Sequence, residues 1–139
     1  MLARPQSRRY RGAWTTVGGL LPVRAYWFDS YKNKQGLFKM LRMNGYNVVS
    51  TPLRKRDGRW VAKGVDIRLT TELLTHAFTD SYETAVLVTG DDYLRAVEQV
   101  QNEGKRVVVA SWSNRAGGRL RSRCDEYVEL DEMAAAIER

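Results

Sequence analysis

AVLVTGDDYLRAVEQVQNEGKRVVVA, residues 85–110, decides the fold. Residues 85–89 form an apolar run rich in β-branched side chains, with the length and composition of a strand buried on both faces. Gly90 breaks the run, and Asp91 and Asp92 follow it. Over residues 93–103, Leu94, Val97 and Val100 recur at three-residue steps with Ala96 beside Val97, which traces one face of a helix. Gly104 suits a C-cap. Residues 105–110 (KRVVVA) then return as a second buried strand. Strand, short turn, helix and strand make a right-handed βαβ crossover in a parallel sheet. Its turn lies at the carboxyl end of a strand, where open α/β sheets place their ligands.

Outward from this unit, strands and helices alternate. Residues 23–28 (VRAYWF) read as a strand ending at Asp29, and residues 35–44 as a helix with Leu37, Phe38, Met40 and Leu41 facing inward. Residues 46–50 (YNVVS) form a short strand. Residues 51–63 form a basic loop or a hairpin around Asp57-Gly58. A long helix over 64–78 carries Val65, Leu69, Leu73, Leu74, Ala77 and Phe78 toward the core, with Asp66 in its first turn. After the central unit come a loop and short basic helix (111–123), a strand (127–130) and a last helix (131–138). The expected fold class is α/β, three-layered, with a mostly parallel central sheet and helices on both faces. Residues 1–22 read as a basic N-terminal arm and 23–139 as one domain.

The chain has 139 residues, 43% hydrophobic, enough for one buried core. No apolar run approaches the ~18 residues of a membrane span, so no membrane partner is expected and the expected compartment is the cytoplasm. One cysteine, Cys124, and one histidine, His76, exclude an internal disulfide and the usual zinc sites. His76 reads as structural, and Trp60 and Trp112 as packed bodies or stacking surfaces for bases. Any metal would be held by carboxylates, which favours Mg²⁺ or Mn²⁺. The net charge of +7 favours a polyanion. It is clustered in the arm, in Arg54, Lys55, Arg56, Arg59 and Lys63, and again in Arg115, Arg119, Arg121 and Arg123.

Asp66, Asp91 and Asp92 all fall near helix N-termini. Brought together at one sheet edge, such carboxylates repel unless a cation sits between them. A divalent ion there activates water and stabilises the charge that grows on a phosphate. Capping of a helix start is the alternative role for each acid.

KGVDIRLTTELL (63–74) and the 85–111 unit, with VRAYWFDS (23–30), GYNVVSTPL (45–53) and LRSRCDEYVEL (120–130), resemble the NYN domain family, in its LabA-like branch related to PIN-like ribonucleases. The resemblance covers residues 23–130. It implies a PIN-like fold and a metal-dependent endoribonuclease site acting on RNA. Asp66 matches the acid of the Lys-Gly-Val-Asp motif, and Asp91 the first acid of the Ser/Thr-Gly-Asp-x-Asp turn, with Asp92 assisting. Lys63 and Thr89 occupy motif positions where they would meet phosphate or orient Asp91; Arg54, Lys55, Arg56, Arg59 and Arg115 would hold the RNA. Asp125 matches a late acid of structural or outer-shell role.

Two departures stand out. The second acid of the turn is replaced by Tyr93. The family's opening strand with its Asp-Gly-x-Asn motif has no counterpart before Val23, and residues 1–22 contain no Asp or Glu; Asp29, the earliest acid, lies on the strand after it and is given no metal role. The alternative to a ribonuclease is therefore a catalytically degenerate domain that binds nucleic acid. A protein-assembly module, in which a second copy or a partner chain completes the sheet, is the third reading.

Overall fold

A computed structural model describes residues 1–3, 21–31, 34–62, 64–112 and 118–137. In chain order the elements are β1 (Leu2–Ala3), β2 (Leu21–Pro22), β3 (Ala25–Tyr31), α1 (Gln35–Met43), β4 (Tyr46–Arg56), β5 (Arg59–Ala62) and α2 (Val65–Phe78). They continue with β6 (Thr84–Val88), α3 (Leu94–Asn102), β7 (Arg106–Ser111), α4 (Gly118–Arg123), β8 (Glu126–Glu129) and α5 (Leu130–Ile137). The fold is α/β, and β3–β4, β6–β7 and β7–β8 are parallel pairs.

The central unit forms as its sequence dictates. β6 and β7 run in register from Thr84↔Arg106 to Val88↔Ala110, with α3 between them. Gly104 takes the left-handed φ of +78° just past α3. The Gly104 N–H then reaches the Gln101 carbonyl at 2.9 Å and the Lys105 N–H the Val100 carbonyl at 3.3 Å. This Schellman pairing satisfies the orphan carbonyls of the last turn. Val97 and Val100 of α3 and Val107 and Val109 of β7 are almost completely buried against Leu73, Ala77, Tyr82 and Leu87. Each such valine contributes about 1.5 kcal/mol or more by leaving water.

The strands divide between two sheets. One has the order β2-β1-β6-β7-β8 and the other β3-β4-β5. Between β3 and β6 the described chain supplies only the N-terminal segment, at the amino-terminal edge. Leu2 pairs with Pro22 and Thr84, the Val23 N–H donates to the Met1 carbonyl at 2.8 Å, and the Met1 ammonium donates to the Arg24 carbonyl at 3.2 Å. Toward the carboxyl edge, β3 and β6 share no hydrogen bond, so a cleft opens between their ends.

The basic segment after Thr51 is a hairpin rather than a loop. β4 runs on to Arg56, and β5 pairs back in register Leu53↔Ala62, Arg54↔Val61, Lys55↔Trp60 and Arg56↔Arg59. Asp57 and Gly58 both have positive φ, +51° and +77°, the two-residue turn whose twist matches the flanking strands.

Several expected core positions are exposed. On α1, Phe38 and Leu41 are buried but Leu37 and Met40 face solvent, because the helix packs chiefly on β4 and needs only a narrow apolar stripe. Phe78 ends α2 beyond the core and is exposed; Leu73 and Ala77 are buried with Leu69 and Leu74 packed against them, whereas Val65 is half-buried and lines the cleft. β6 is covered on one face only: Ala85 and Leu87 are buried, whereas Val86 is 42% and Val88 64% exposed. Parallel strands are ordinarily covered on both sides, so the described chain leaves this face bare.

Candidate functional site

Three elements deliver one carboxylate each to the cleft. Asp29 comes from the carboxyl end of β3, Asp66 from the first turn of α2, and Asp91 from the turn after β6. With Ser30, Gly64 and Val65 they line a cavity of about 310 Å³. Gly64 sets the start of α2 with a φ of +89° that other residues rarely adopt. The positive end of the helix favours the Asp66 charge. Thr89 shapes the next turn, its Oγ1 accepting from the Asp91 backbone N–H at 3.0 Å.

Each carboxylate is in a different state. Asp29 is two-thirds or more covered and accepts from Lys34 Nζ at 2.9 Å, from the Ser30 N–H at 2.8 Å and from Trp27 Nε1 at 3.4 Å. Burial works to raise its pKa, but the donors from Lys34, Trp27 and Ser30 outweigh burial and hold it below the ordinary aspartate value. Asp66 Oδ1 accepts from the Tyr93 hydroxyl at 2.7 Å. Tyr93 is 7% exposed, and its pKa is driven well above the ordinary tyrosine value, first by burial, then by Asp66 and by the charge of Asp91. Tyr93 is therefore a neutral donor at physiological pH, fixed to Asp66 and within reach of the charge of Asp91. Asp91 is exposed at the cavity's mouth.

Asp92 takes another place. It is not among the cavity's lining residues, and its Oδ1 accepts from the N–H of Leu94, the first residue of α3, at 3.0 Å. Asp125 lies at the opposite edge, where Oδ2 accepts from the Val107 N–H at 2.8 Å and from Gln101 Nε2 at 3.1 Å. It fastens β8 to the start of β7. Arg54, Lys55, Arg56 and Arg59 stand exposed on the β4–β5 hairpin, whereas Lys63 and Arg115 lie outside the described residues. His76 is a packed residue, its Nε2 2.9 Å from the Tyr26 hydroxyl and 3.0 Å from Glu72 Oε2.

Sequence reasoning gave no site role to Asp29 or Tyr93. Asp29 carried a usable signal, an acid at the carboxyl end of a strand in an open α/β fold. Tyr93 carried none, since its reach to Asp66 depends on how α2 packs beside α3.

The donor set suits a hard ion of the Mg²⁺ type that keeps much of its water. Such ions use one or two carboxylates and complete their shell with water and substrate phosphate. Asp66 and Asp91 supply two across an open polar cavity, and Asp66 keeps one oxygen beyond the Tyr93 contact. Among the described residues, no group of three acids, histidines or cysteines encloses an ion by itself. No helix among them is long and apolar enough to cross a membrane.

The model of the NYN domain family matches residues 2–131 of the chain. The "Low amplitude and bright protein LabA" of Synechococcus elongatus is 26% identical over 127 residues, which cover 84% of this chain and 67% of that protein. The crystal structure of a protein of unknown function from Vibrio parahaemolyticus superposes with a TM-score of 0.63 at 31% identity, covering 78% of this chain and 68% of the other.

Proposed function

Because this chain belongs to the NYN domain family, whose members are generally ribonuclease-like, we propose that it binds RNA and hydrolyses its phosphodiester bonds at the Asp29–Asp66–Asp91 cavity. The observation that carries this reading is the meeting of three carboxylates, from three separate elements, in one cavity of a chain with net charge +7. Asp66 and Asp91 would hold Mg²⁺ or Mn²⁺, which when bound lowers the pKa of water and offsets charge on phosphate. Tyr93 holds Asp66 Oδ1, which would leave Oδ2 to meet the ion. Thr89 fixes the turn that presents Asp91. Asp29, kept ionised by Lys34, would orient water through the oxygen lone pairs its donors leave open. Lys63, Thr89, Arg115 and the hairpin cations would hold the RNA backbone.

A second reading, a nucleic-acid-binding domain without cleavage, is favoured by the contacts that already engage Asp66 and Asp29. A nuclease assay on labelled single-stranded RNA, with Mn²⁺ or Mg²⁺ against EDTA, separates the two. Cleavage that needs the metal supports the hydrolase. Intact RNA that stays bound equally well in EDTA overturns it in favour of the binding domain.

A further inference from the structure

β4 and β5 alternate their side chains with the strand period of two. The register of β3, β4 and β5 is unbroken from Ala25↔Tyr46 to Tyr31↔Pro52 and from Leu53↔Ala62 to Arg56↔Arg59. Residues paired across these strands share a face. Asp29 pairs with Ser50, so Asp29, Ser50, Arg54 and Arg56 lie on one face, joined by Arg59 opposite Arg56. Lys55 and Trp60 lie on the other. The hairpin thus sorts its cations: three arginines form a row on the face that carries a cavity carboxylate. Among the described residues none of the three has an acidic partner, and all are exposed.

At ~3.3 Å per residue, Arg54 stands about 13 Å and Arg56 about 20 Å beyond the Asp29–Ser50 pair. β5 returns from the row to Gly64, Val65 and Asp66 at the cavity wall. The cavity, at about 310 Å³, is roughly 7 Å across if equant, too narrow to admit the body of a duplex, whose major groove alone is ~12 Å wide. A polyanion that occupies both the row and the cavity must therefore arrive as a single strand. An arginine row, with its fixed fork of donors, is the side-chain choice for successive phosphates.

The geometry points to Arg54, Arg56 and Arg59 as a phosphate track that leads one strand of RNA along the hairpin face into the Asp29–Asp66–Asp91 cavity. The track rests on the proposed action on RNA and assigns its substrate as single-stranded, with a binding footprint well beyond the scissile bond. Length follows from it: a dinucleotide in the cavity stops short of the row, while a long oligonucleotide spans both.

Binding of fluorescent oligouridylate in EDTA, measured by anisotropy over a salt series, tests the track without any need for cleavage. Each phosphate contact in a single strand contributes about 0.7 to the slope of log K against log salt. Arg54→Gln/Arg56→Gln/Arg59→Gln should flatten the slope by about 2, so that between about 50 and 200 mM salt the wild type loses about 20-fold more affinity than the variant. Lys39→Gln/Arg42→Gln on α1 should leave the slope unchanged, and uridylyl-uridine should bind wild type and hairpin variant alike. An unchanged slope in the hairpin variant, an equal loss in the α1 variant, tighter binding of duplex than of single strand, or no binding by the wild type would each overturn the track. A wild type that binds with the expected slope but never cleaves leaves the track standing and removes only the hydrolase.

Discussion

Tyr93→Phe removes one hydroxyl and one hydrogen bond, the 2.7 Å contact to Asp66 Oδ1, and keeps the ring that is buried in the core. Hydrogen bonds to charged groups contribute about 1.5–3 kcal/mol. Asp66 is exposed, so water can replace the lost donor and the cost falls to about 1–1.5 kcal/mol. For a chain of this length that lowers Tm by about 3–5 °C. The effect has a pH signature. Tyr93 titrates above its ordinary value, so its contribution is complete below the unfolded tyrosine pKa of about 10 and declines as pH rises through the folded value. Tyr82, pushed up to about 12 by burial, is common to both proteins and cancels in the difference. Thermal unfolding followed by circular dichroism should show the variant less stable at neutral pH, with the gap closing above about pH 10. Equal Tm values at neutral pH, or a gap that stays constant into alkali, would refute the Tyr93–Asp66 bond as the organiser of the cavity.

Two further outcomes follow from named contacts. Lys34→Met removes a donor that holds Asp29 below its ordinary pKa. The variant should lose about 0.5–1 kcal/mol at neutral pH, a modest figure because Lys34 is partly exposed; the sign is that of a depressed carboxylate, so denaturant melts should show the difference vanish in acid once Asp29 is protonated in both states. Asp125→Ala strips the acceptor from the buried Val107 N–H and should cost about 1–3 kcal/mol in urea unfolding, with no change in RNA cleavage per folded molecule, because Asp125 sits at the edge opposite the cavity.

The element order was legible because most segments carry their own period and stop signal: TAVLV is a buried strand, and LRAVEQVQN ends at a glycine that closes it. The Asp57-Gly58 pair was enough to suggest the hairpin, but not that β4 would extend to Arg56, since the charged residues of RKR form a strand only when β5 pairs with them. Exposure of Val86, Val88 and Met40 was hidden for a related reason. Apolar composition reports what a residue can bury, and here the described chain offers no covering layer. In the site, Asp66 and Asp91 were readable from motif spacing. Asp29 was passed over because its place in the cavity wall depends on two sheets opening beside it, a tertiary fact. Asp91 and Asp92 looked equivalent in sequence; they diverge because only Asp92 is two residues before the first N–H of α3.

That divergence between Asp91 and Asp92 can be measured directly. Single-turnover cleavage of labelled single-stranded RNA with Mn²⁺ should be compared for wild type, Asp91→Asn and Asp92→Asn. Asparagine serves a helix start as well as aspartate does, so both variants should fold. The assignment of Asp91 to the metal and Asp92 to the start of α3 predicts cleavage abolished by Asp91→Asn with RNA binding retained, and cleavage near the wild-type rate for Asp92→Asn. Cleavage at the wild-type rate by Asp91→Asn would contradict it.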